Sequence, residues 1–232
     1  MAQIFLVRHG QASFGAADYD QLSELGAEQS RLLGAWFAQC GIGFDRVVVG
    51  GLRRHRQTAE ACLAAMPQAP ADWIEDPGLE EYDHVQMLSL SRPDLQQKAA
   101  MGGYLAQHDN PRRAFQQLFE DAMTRWMSGQ YDHEYRESWS AFRGRCVGAL
   151  QRVLSDTDRA RRAVVFTSGG PISAIAQELL GLSDARTAAL NWTVANSAVT
   201  KLLHSPGQIS LSYLNAYPHL EQAGDPKIIT YR

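Results

Sequence analysis

Cysteine is scarce: Cys40, Cys62 and Cys146 are the only three, and no Cys-x-x-Cys pair occurs. An odd, widely spaced set gives neither a disulfide framework nor a zinc ribbon. All three read as small core residues of helices. No apolar run is long enough to cross a bilayer. The N-terminus enters a strand at once, without the charged segment, apolar stretch and cleavage site of a signal peptide. A cytoplasmic protein with no membrane partner is therefore expected, and in that setting the glycosylation match Asn191-Trp192-Thr193 carries no weight. Excess charge of one sign is also missing, the formal net charge being -3. The densest basic run, Asp158-Arg159-Ala160-Arg161-Arg162, reads as the solvated end of a helix, so no nucleic-acid partner is expected. The seven histidines, at 9, 55, 84, 108, 133, 204 and 219, lack a His-Glu-x-x-His spacing. The adjacent pairs Asp83-His84 and His133-Glu134 are poorly suited to chelation, and neither a metal nor a cofactor is expected. Repeats and low-complexity tracts are absent. Oligomeric state is not legible.

What the chain does have is an ordinary globular balance, 45% apolar and 20% charged over 232 residues, enough for a sizeable core. Gln3 to Val7 is a short buried strand ending at Arg8-His9-Gly10. Ser23 caps a helix whose Leu25, Leu32, Leu33, Trp36, Phe37 and Cys40 recur at helical spacing, with Gly41 closing it. Asp45 to Val49 predicts a second strand broken by Gly50-Gly51, and 53–65 a helix. A weaker strand is expected over Pro70 to Ile74, then a loop from Asp76 to Asp83. Residues 85–135 show no strand alternation and read as a helical insertion. Its stripe Phe115, Phe119, Met123, Trp126 suits packing better than cofactor binding. A helix from Ser138, a strand over Ala163 to Thr167, a turn at Ser168-Gly169-Gly170 and a helix with Pro171 at its first position and Gly181 at its end follow. Strands over 196–203 and 208–214 complete the pattern. Strands alternating with helices imply an α/β fold: three layers, with a mainly parallel sheet flanked by helices. One domain over 1–232, with the insertion at about 85–135, is expected.

Ligands of such sheets bind beyond the carboxyl ends of the strands, and three of those ends carry unusual residues: Arg8-His9-Gly10, Gly50-Gly51-Leu52-Arg53-Arg54 and Ser168-Gly169-Gly170. A guanidinium is a good fork for phosphoryl oxygens. A neutral imidazole whose one nitrogen donates to a carbonyl can aim the other at phosphorus. Gly10 lets the backbone pass close to a ligand.

Leu6-Val7-Arg8-His9-Gly10-Gln11 resembles the signature of the histidine phosphatase superfamily, in its phosphoglycerate mutase-like branch. Leu22 to Gln29 is similar to the opening of that family's first helix. Leu52-Arg53-Arg54-His55-Arg56-Gln57-Thr58-Ala59 resembles its Leu-x-Arg-x-x-Gln-Thr-Ala segment, and Leu79-Glu80-Glu81 its Leu-x-Glu stretch. Asn196-Ser197 and Asn215 to Leu220, including His219, resemble later stretches. The resemblance implies a phosphoglycerate mutase-like fold and hydrolysis of a small phosphorylated substrate through a phosphohistidine. It makes His9 the nucleophile, Arg8 and Arg54 the phosphate clamp, and Glu81 the proton donor, with Asp83 the alternative acid. Crowding by Asp76, Glu80 and Asp83 would raise the pKa of that acid. Gln11 and Ser13 stand nearby without an assignable role.

The chain departs from the pattern at three places. Gly15 stands where the first loop usually brings an asparagine, Gly50 where a serine precedes the arginine motif, and Ser168 where a second histidine meets the phosphoryl oxygens. Ser168 is shorter and uncharged, although the N-terminus of the following helix also attracts anions. Three readings follow: a phosphatase whose activity Ser168 reduces; a phosphate-binding module with little turnover; and a mutase, disfavoured because residues 85–110 hold only Arg92 and Lys98 as cations. If Ser168 faces the phosphoryl group, Ser168→His should raise the rate. If Ser168 merely caps the next helix, its loss should cost stability alone.

Overall fold

The computed structural model describes residues 1–13, 20–155 and 161–231. Gly15 and the Asp158-Arg159-Ala160 part of the basic run lie outside them. Strands β1 (Ala2–Arg8), β2 (Arg46–Val49), β3 (Ile74–Glu75), β4 (Arg162–Thr167), β5 (Val199–Ser205) and β6 (Gln208–Ala216) form one sheet in the order β3-β2-β4-β1-β5-β6. β1, β2, β3 and β4 run parallel, while β5 and β6 join antiparallel at one side.

The two faces of the sheet follow from strand alternation. Ile4 and Leu6 of β1, Val48 of β2 and Val165 of β4 pack on one side with Phe142, Leu150, Ile172 and Ile175. Phe5, Val7, Val47, Val49, Val164 and Phe166 pack on the other with Leu33, Phe37, Phe44 and Leu63. Helices α1 (Glu24–Gln39) and α2 (Arg53–Ala64) cover the second face. α6 (Trp139–Ser155) and α7 (Gly169–Leu180) cover the first. Near-continuous apolar strands are what burial on both faces requires.

The segment read as an insertion is helical: α3 (His84–Ser91), α4 (Lys98–Ala106) and α5 (Pro111–Met127), with short 3-10 turns at Pro93–Leu95 and Asp132–Glu134. Its aromatic stripe divides. Met123 and Trp126 are buried in the core, Trp126 lying 5.1 Å from Tyr82 and 5.2 Å from Trp139. Phe115 and Phe119 instead line a cavity.

Several expectations need correction. The third strand is only Ile74–Glu75, shorter and later than Pro70 to Ile74; Pro70 and exposed Asp72 leave little to pair or bury. α7 begins at Gly169, so Pro171 sits in its third position rather than its first. An N–H missing there costs nothing, because no residue of a first turn has an intrahelical acceptor. A helix not anticipated, α8 (Asp184–Thr193), follows it, and α9 (Pro218–Gln222) lies near the C-terminal end. Cys40 is exposed at the end of α1, unlike buried Cys62 and Cys146. Arg162 opens β4 instead of ending a helix. Asp83 and His84 sit at the start of α3, and His133-Glu134 in a 3-10 turn. No helix among the described residues is long and apolar enough to cross a membrane.

Candidate active site

The ends of β1, β4 and β2 meet, as their parallel pairing demands. The His9 N–H donates to the Thr167 carbonyl (2.8 Å) and the Gly50 N–H to the Phe166 carbonyl (3.0 Å). Gln11 and Ser13 spend their polar groups within the next loop. The Ser23 hydroxyl donates to Gln11 Oε1 (2.9 Å) and the Ser13 hydroxyl to the Leu22 carbonyl (3.0 Å).

His9 is buried, and its Nδ1 lies 2.7 Å from the Gly10 carbonyl. Burial first, then the charges of Arg54 and Arg8 and the neighbouring His55, hold its pKa well below the ordinary histidine value. The ring is therefore neutral, with Nδ1–H donated to the carbonyl and the lone pair left on Nε2. Its backbone is clamped as well: the His9 carbonyl accepts from Ser197 N–H (3.2 Å) and from Asn196 Nδ2 (3.2 Å). Asn196 is held by Thr230 (2.9 Å), and Ser197, at φ 58°, lies 2.8 Å from His219 Nε2. The Asn196-Ser197 and His219 stretches thus support His9 rather than face a ligand.

Gly10 has a packing reason of its own. A Cβ there would lie 2.2 Å from the Gly26 carbonyl oxygen, so the missing side chain admits α1. Its carbonyl is what serves His9.

Arg8 Nη1 donates to the carbonyls of Val194 and Tyr231. Arg54 is buried in the first turn of α2, with Nη1 2.8 Å from Asp20 Oδ1. Asp20 Oδ2 accepts from Arg53 N–H (2.9 Å), so this residue, which the sequence reading passed over, both caps α2 and faces the Arg54 guanidinium. The Thr58 hydroxyl donates to the Arg54 carbonyl (2.7 Å) and accepts from Gly10 N–H (3.1 Å), locking α2 onto the end of β1.

Glu81 enters from the loop after Leu79. Arg145 pins that loop through the carbonyls of Pro77, Gly78 and Glu80, and the Thr167 hydroxyl donates to the Leu79 carbonyl (2.6 Å). Glu81 Oε2 accepts from Gly170 N–H at 3.2 Å. A Cβ on Gly170 would lie 2.0 Å from Oε1, so the glutamate needs glycine there. Burial raises the Glu81 pKa, against the opposing pull of Arg54, Gly170, Arg8 and Tyr82. The expected crowding of carboxylates is not the cause. Asp76 pairs with Arg152 (2.8 Å), and Asp83 caps α3 through Gln86 N–H (2.9 Å) and pairs with Arg136 (3.5 Å). Asp83 is thereby committed elsewhere, while Glu81 faces the cavity.

That cavity, of about 140 Å³, is lined by Arg8, His9, Arg54, Glu81 and His84 together with Phe115, Phe119, Trp192 and Tyr231. Phe119 and Trp192 meet edge to face at 4.9 Å. Asn191, also at its wall, donates to the Tyr82 hydroxyl (3.0 Å). The sequence reading missed His84, whose pKa is lowered by burial and by Arg54. Its only sequence signal was its place three residues after Glu81. Among the described residues no group of three or more His, Cys, Asp or Glu is gathered as a metal site.

Ser168 lies outside the cavity lining. It is buried at the end of β4, and although it stands at the cap of α7 its side chain makes no capping bond. Its Oγ instead lies 2.7 Å from His55 Nε2.

Residues 4–114 and 106–217 match the family model of the histidine phosphatase superfamily (branch 1). The chain belongs to that superfamily. Among curated relatives, a 2,3-bisphosphoglycerate-dependent phosphoglycerate mutase of Sinorhizobium fredii is 34% identical over 102 residues, 41% of this chain and 48% of the relative. The match thus spans about half the length of that relative. A phosphoglycerate mutase from Bacillus anthracis superposes with a TM-score of 0.67 at 16% identity, covering 97% of each chain. An Entamoeba histolytica phosphoserine phosphatase, solved with phosphoserine, gives a TM-score of 0.66 at 16% identity, covering 95% of this chain and 100% of that one. These superfamily likenesses establish the α/β fold, a mixed sheet flanked by helices, as that of the phosphoglycerate mutases.

Proposed function

We propose that this superfamily member hydrolyses small phosphomonoesters through a phosphohistidine at His9. The observation that carries the reading is the convergence on one cavity of neutral His9, its Nδ1 on the Gly10 carbonyl, with Arg8, Arg54 and Glu81, whose pKa burial raises. The Nε2 lone pair of His9 attacks phosphorus. The bond from phosphorus to the ester oxygen breaks, and that oxygen takes the Glu81 proton. Glu81, now a carboxylate, takes a proton from a water that attacks the phosphohistidine. The P–N bond breaks, inorganic phosphate leaves, and Glu81 is again an acid. Arg8 and Arg54 neutralise the phosphoryl oxygens throughout, the part a divalent ion plays in other phosphoryl-transfer sites.

The lining also holds Phe115, Phe119, Trp192 and Tyr231, and Arg8 and Arg54 are the arginines among its residues, with no lysine. Such a mouth fits an apolar or aromatic leaving group better than a second phosphate, which a mutase must hold while its intermediate reorients. A phosphomonoester panel tests this. Turnover should be highest for aryl and other apolar esters, with acid-labile phosphate on the wild type and none on His9→Ala. Interconversion of 3- and 2-phosphoglycerate exceeding hydrolysis would overturn it in favour of a mutase. Phosphate binding without turnover would favour a binding module.

A further inference from the structure

The two arginines of the cavity are held in different ways. Arg8 Nη1 is anchored on the neutral carbonyls of Val194 and Tyr231, whereas Arg54 Nη1 lies 2.8 Å from a carboxylate oxygen, Oδ1 of Asp20. Arg54 is 7% exposed. A guanidinium placed so deeply is costly without an opposite charge nearby, and Asp20 supplies one. The other oxygen of Asp20 is committed to the backbone. Leu52 stands at the cap of α2 and makes no side-chain capping bond, and Asp20 Oδ2 takes the Arg53 N–H of that first turn instead (2.9 Å). The segment that carries Asp20 is itself fixed. The Leu22 N–H donates to Gln57 Oε1 of α2 (2.8 Å), the Ser13 N–H donates to the Gln21 carbonyl (2.8 Å), and Ala12 pairs with Leu22 in an isolated bridge. α2 therefore holds both Arg54 and the segment that brings it a counter-ion. A helix cap alone does not need a carboxylate, since serine or asparagine serves as well. A clamp arginine does not need one either, as the carbonyls on Arg8 show. The charge of Asp20 is the feature left to explain.

We propose that Asp20 is a fixed counter-ion of the anion site, a positioning residue that holds the Arg54 guanidinium at the cavity and limits how tightly that guanidinium grips a phosphoryl oxygen. Asp20 is not among the residues lining the cavity, so it acts through Arg54. With no anion bound, the carboxylate balances the buried charge and keeps the guanidinium in place. With inorganic phosphate bound, Asp20 and the phosphate share one guanidinium and repel each other. The product is therefore released more readily than from a site with both arginine charges unopposed. The Asp20 side chain is 36% exposed, so solvent screens the repulsion and keeps the effect modest. The proposal rests on the cavity being a phosphoryl site.

Asp20→Asn in the whole chain tests it. Asparagine keeps an oxygen for the Arg53 N–H and removes the charge. Inhibition of aryl phosphate hydrolysis by inorganic phosphate should tighten by about three- to tenfold. KM should fall with it, and kcat should fall because phosphate leaves more slowly. Phosphate should also raise the melting temperature of Asp20→Asn more than that of the wild type. Asp20→Ser, neutral and also a capping residue, should shift inhibition the same way and covers the case of a poorly folded Asp20→Asn. Glu75→Gln removes an equal charge from beside Arg56, on the same helix as Arg54, and should leave phosphate inhibition unchanged. The sign of the shift decides. If Asp20 merely props Arg54, its loss slackens the guanidinium and phosphate inhibition weakens. Weakened or unaltered inhibition in folded Asp20→Asn, or equal tightening in Glu75→Gln, would overturn the proposal. Wild-type protein that neither hydrolyses phosphomonoesters nor is stabilised by phosphate would remove the phosphoryl site itself, and the proposal with it. Turnover in the wild type, with no tightening in Asp20→Asn, would remove only the role of Asp20.

Discussion

The floor and the cover of the cavity are built on different principles. The floor, where β1, β2 and β4 end, is a lattice of directed bonds. The His9 carbonyl is held twice, and Thr58 bridges Arg54 to Gly10. The cover, α3 to α5, is held by packing, with Trp126 wedged among Tyr82, Trp139 and Phe142 and with Phe115 and Phe119 left over the cavity. Directed bonds fix atoms to fractions of an ångström, which an in-line attack requires. Apolar walls tolerate exchange of side chains at modest cost. On the proposed phosphatase reading, reaction type resides in the floor and choice of leaving group in the cover.

Glu81→Gln should separate the two most sharply. An alkyl phosphate needs its leaving oxygen protonated, and its kcat should fall by roughly a hundred- to ten-thousandfold. A nitrophenyl phosphate, whose leaving group departs unprotonated, should lose far less. Equal losses for both would mean that Glu81 is not the acid. Phe119→Ala should act on the other side of the divide. It should raise KM for aryl esters by about three- to tenfold, the worth of an aromatic contact, and leave kcat little changed. A fall in kcat with unaltered KM would place Phe119 in the floor.

Acid should strain the floor before the cover. Burial, with the arginine charges, keeps His9 and His55 well below the ordinary value, and burial lowers His219 to about 3. All three are depressed in the folded state, so their contribution is complete above an unfolded pKa of about 6.5. It is lost as pH falls below that value, because the unfolded chain gains protons the native one refuses. The melting temperature should drop steadily from pH 7 to pH 4.5, and His219→Gln should flatten the slope. The smallest expected effect is that of EDTA, which should leave turnover of an aryl phosphate unchanged. Loss on chelation and recovery with a divalent ion would contradict a charge supplied by Arg8 and Arg54.

Patterns with a short range were legible in the sequence. The apolar run of β1, the Ser23 cap and the helical spacing of α1 each state their structure within a few residues. α8 escaped because its pattern is weak: Thr187 is its one residue buried below the surface, and only Ser183 signals its start. The cavity lining was legible where its residues adjoin at a strand end, as for Arg8-His9. His55 was not, since its meaning comes from Ser168, 113 residues away. Taken alone, Ser168 suggests that a histidine there would raise the rate. The structure instead sets its Oγ 2.7 Å from His55 Nε2. The cause of the Glu81 shift was likewise invisible, because neighbours in sequence turn away to Arg152 and Arg136.

Gly170 and Gly50 carry a consequence for reading related chains. Each is an absence that records a neighbour: the first leaves room for the Glu81 carboxylate, the second for the His55 ring. In an aligned set of homologues these two columns become a typing scheme. Chains with a side chain at 170 cannot seat the glutamate as this one does. Chains with a side chain at 50 should lack histidine at 55. Subgroups of the superfamily could then be sorted by two positions that carry no side chain here.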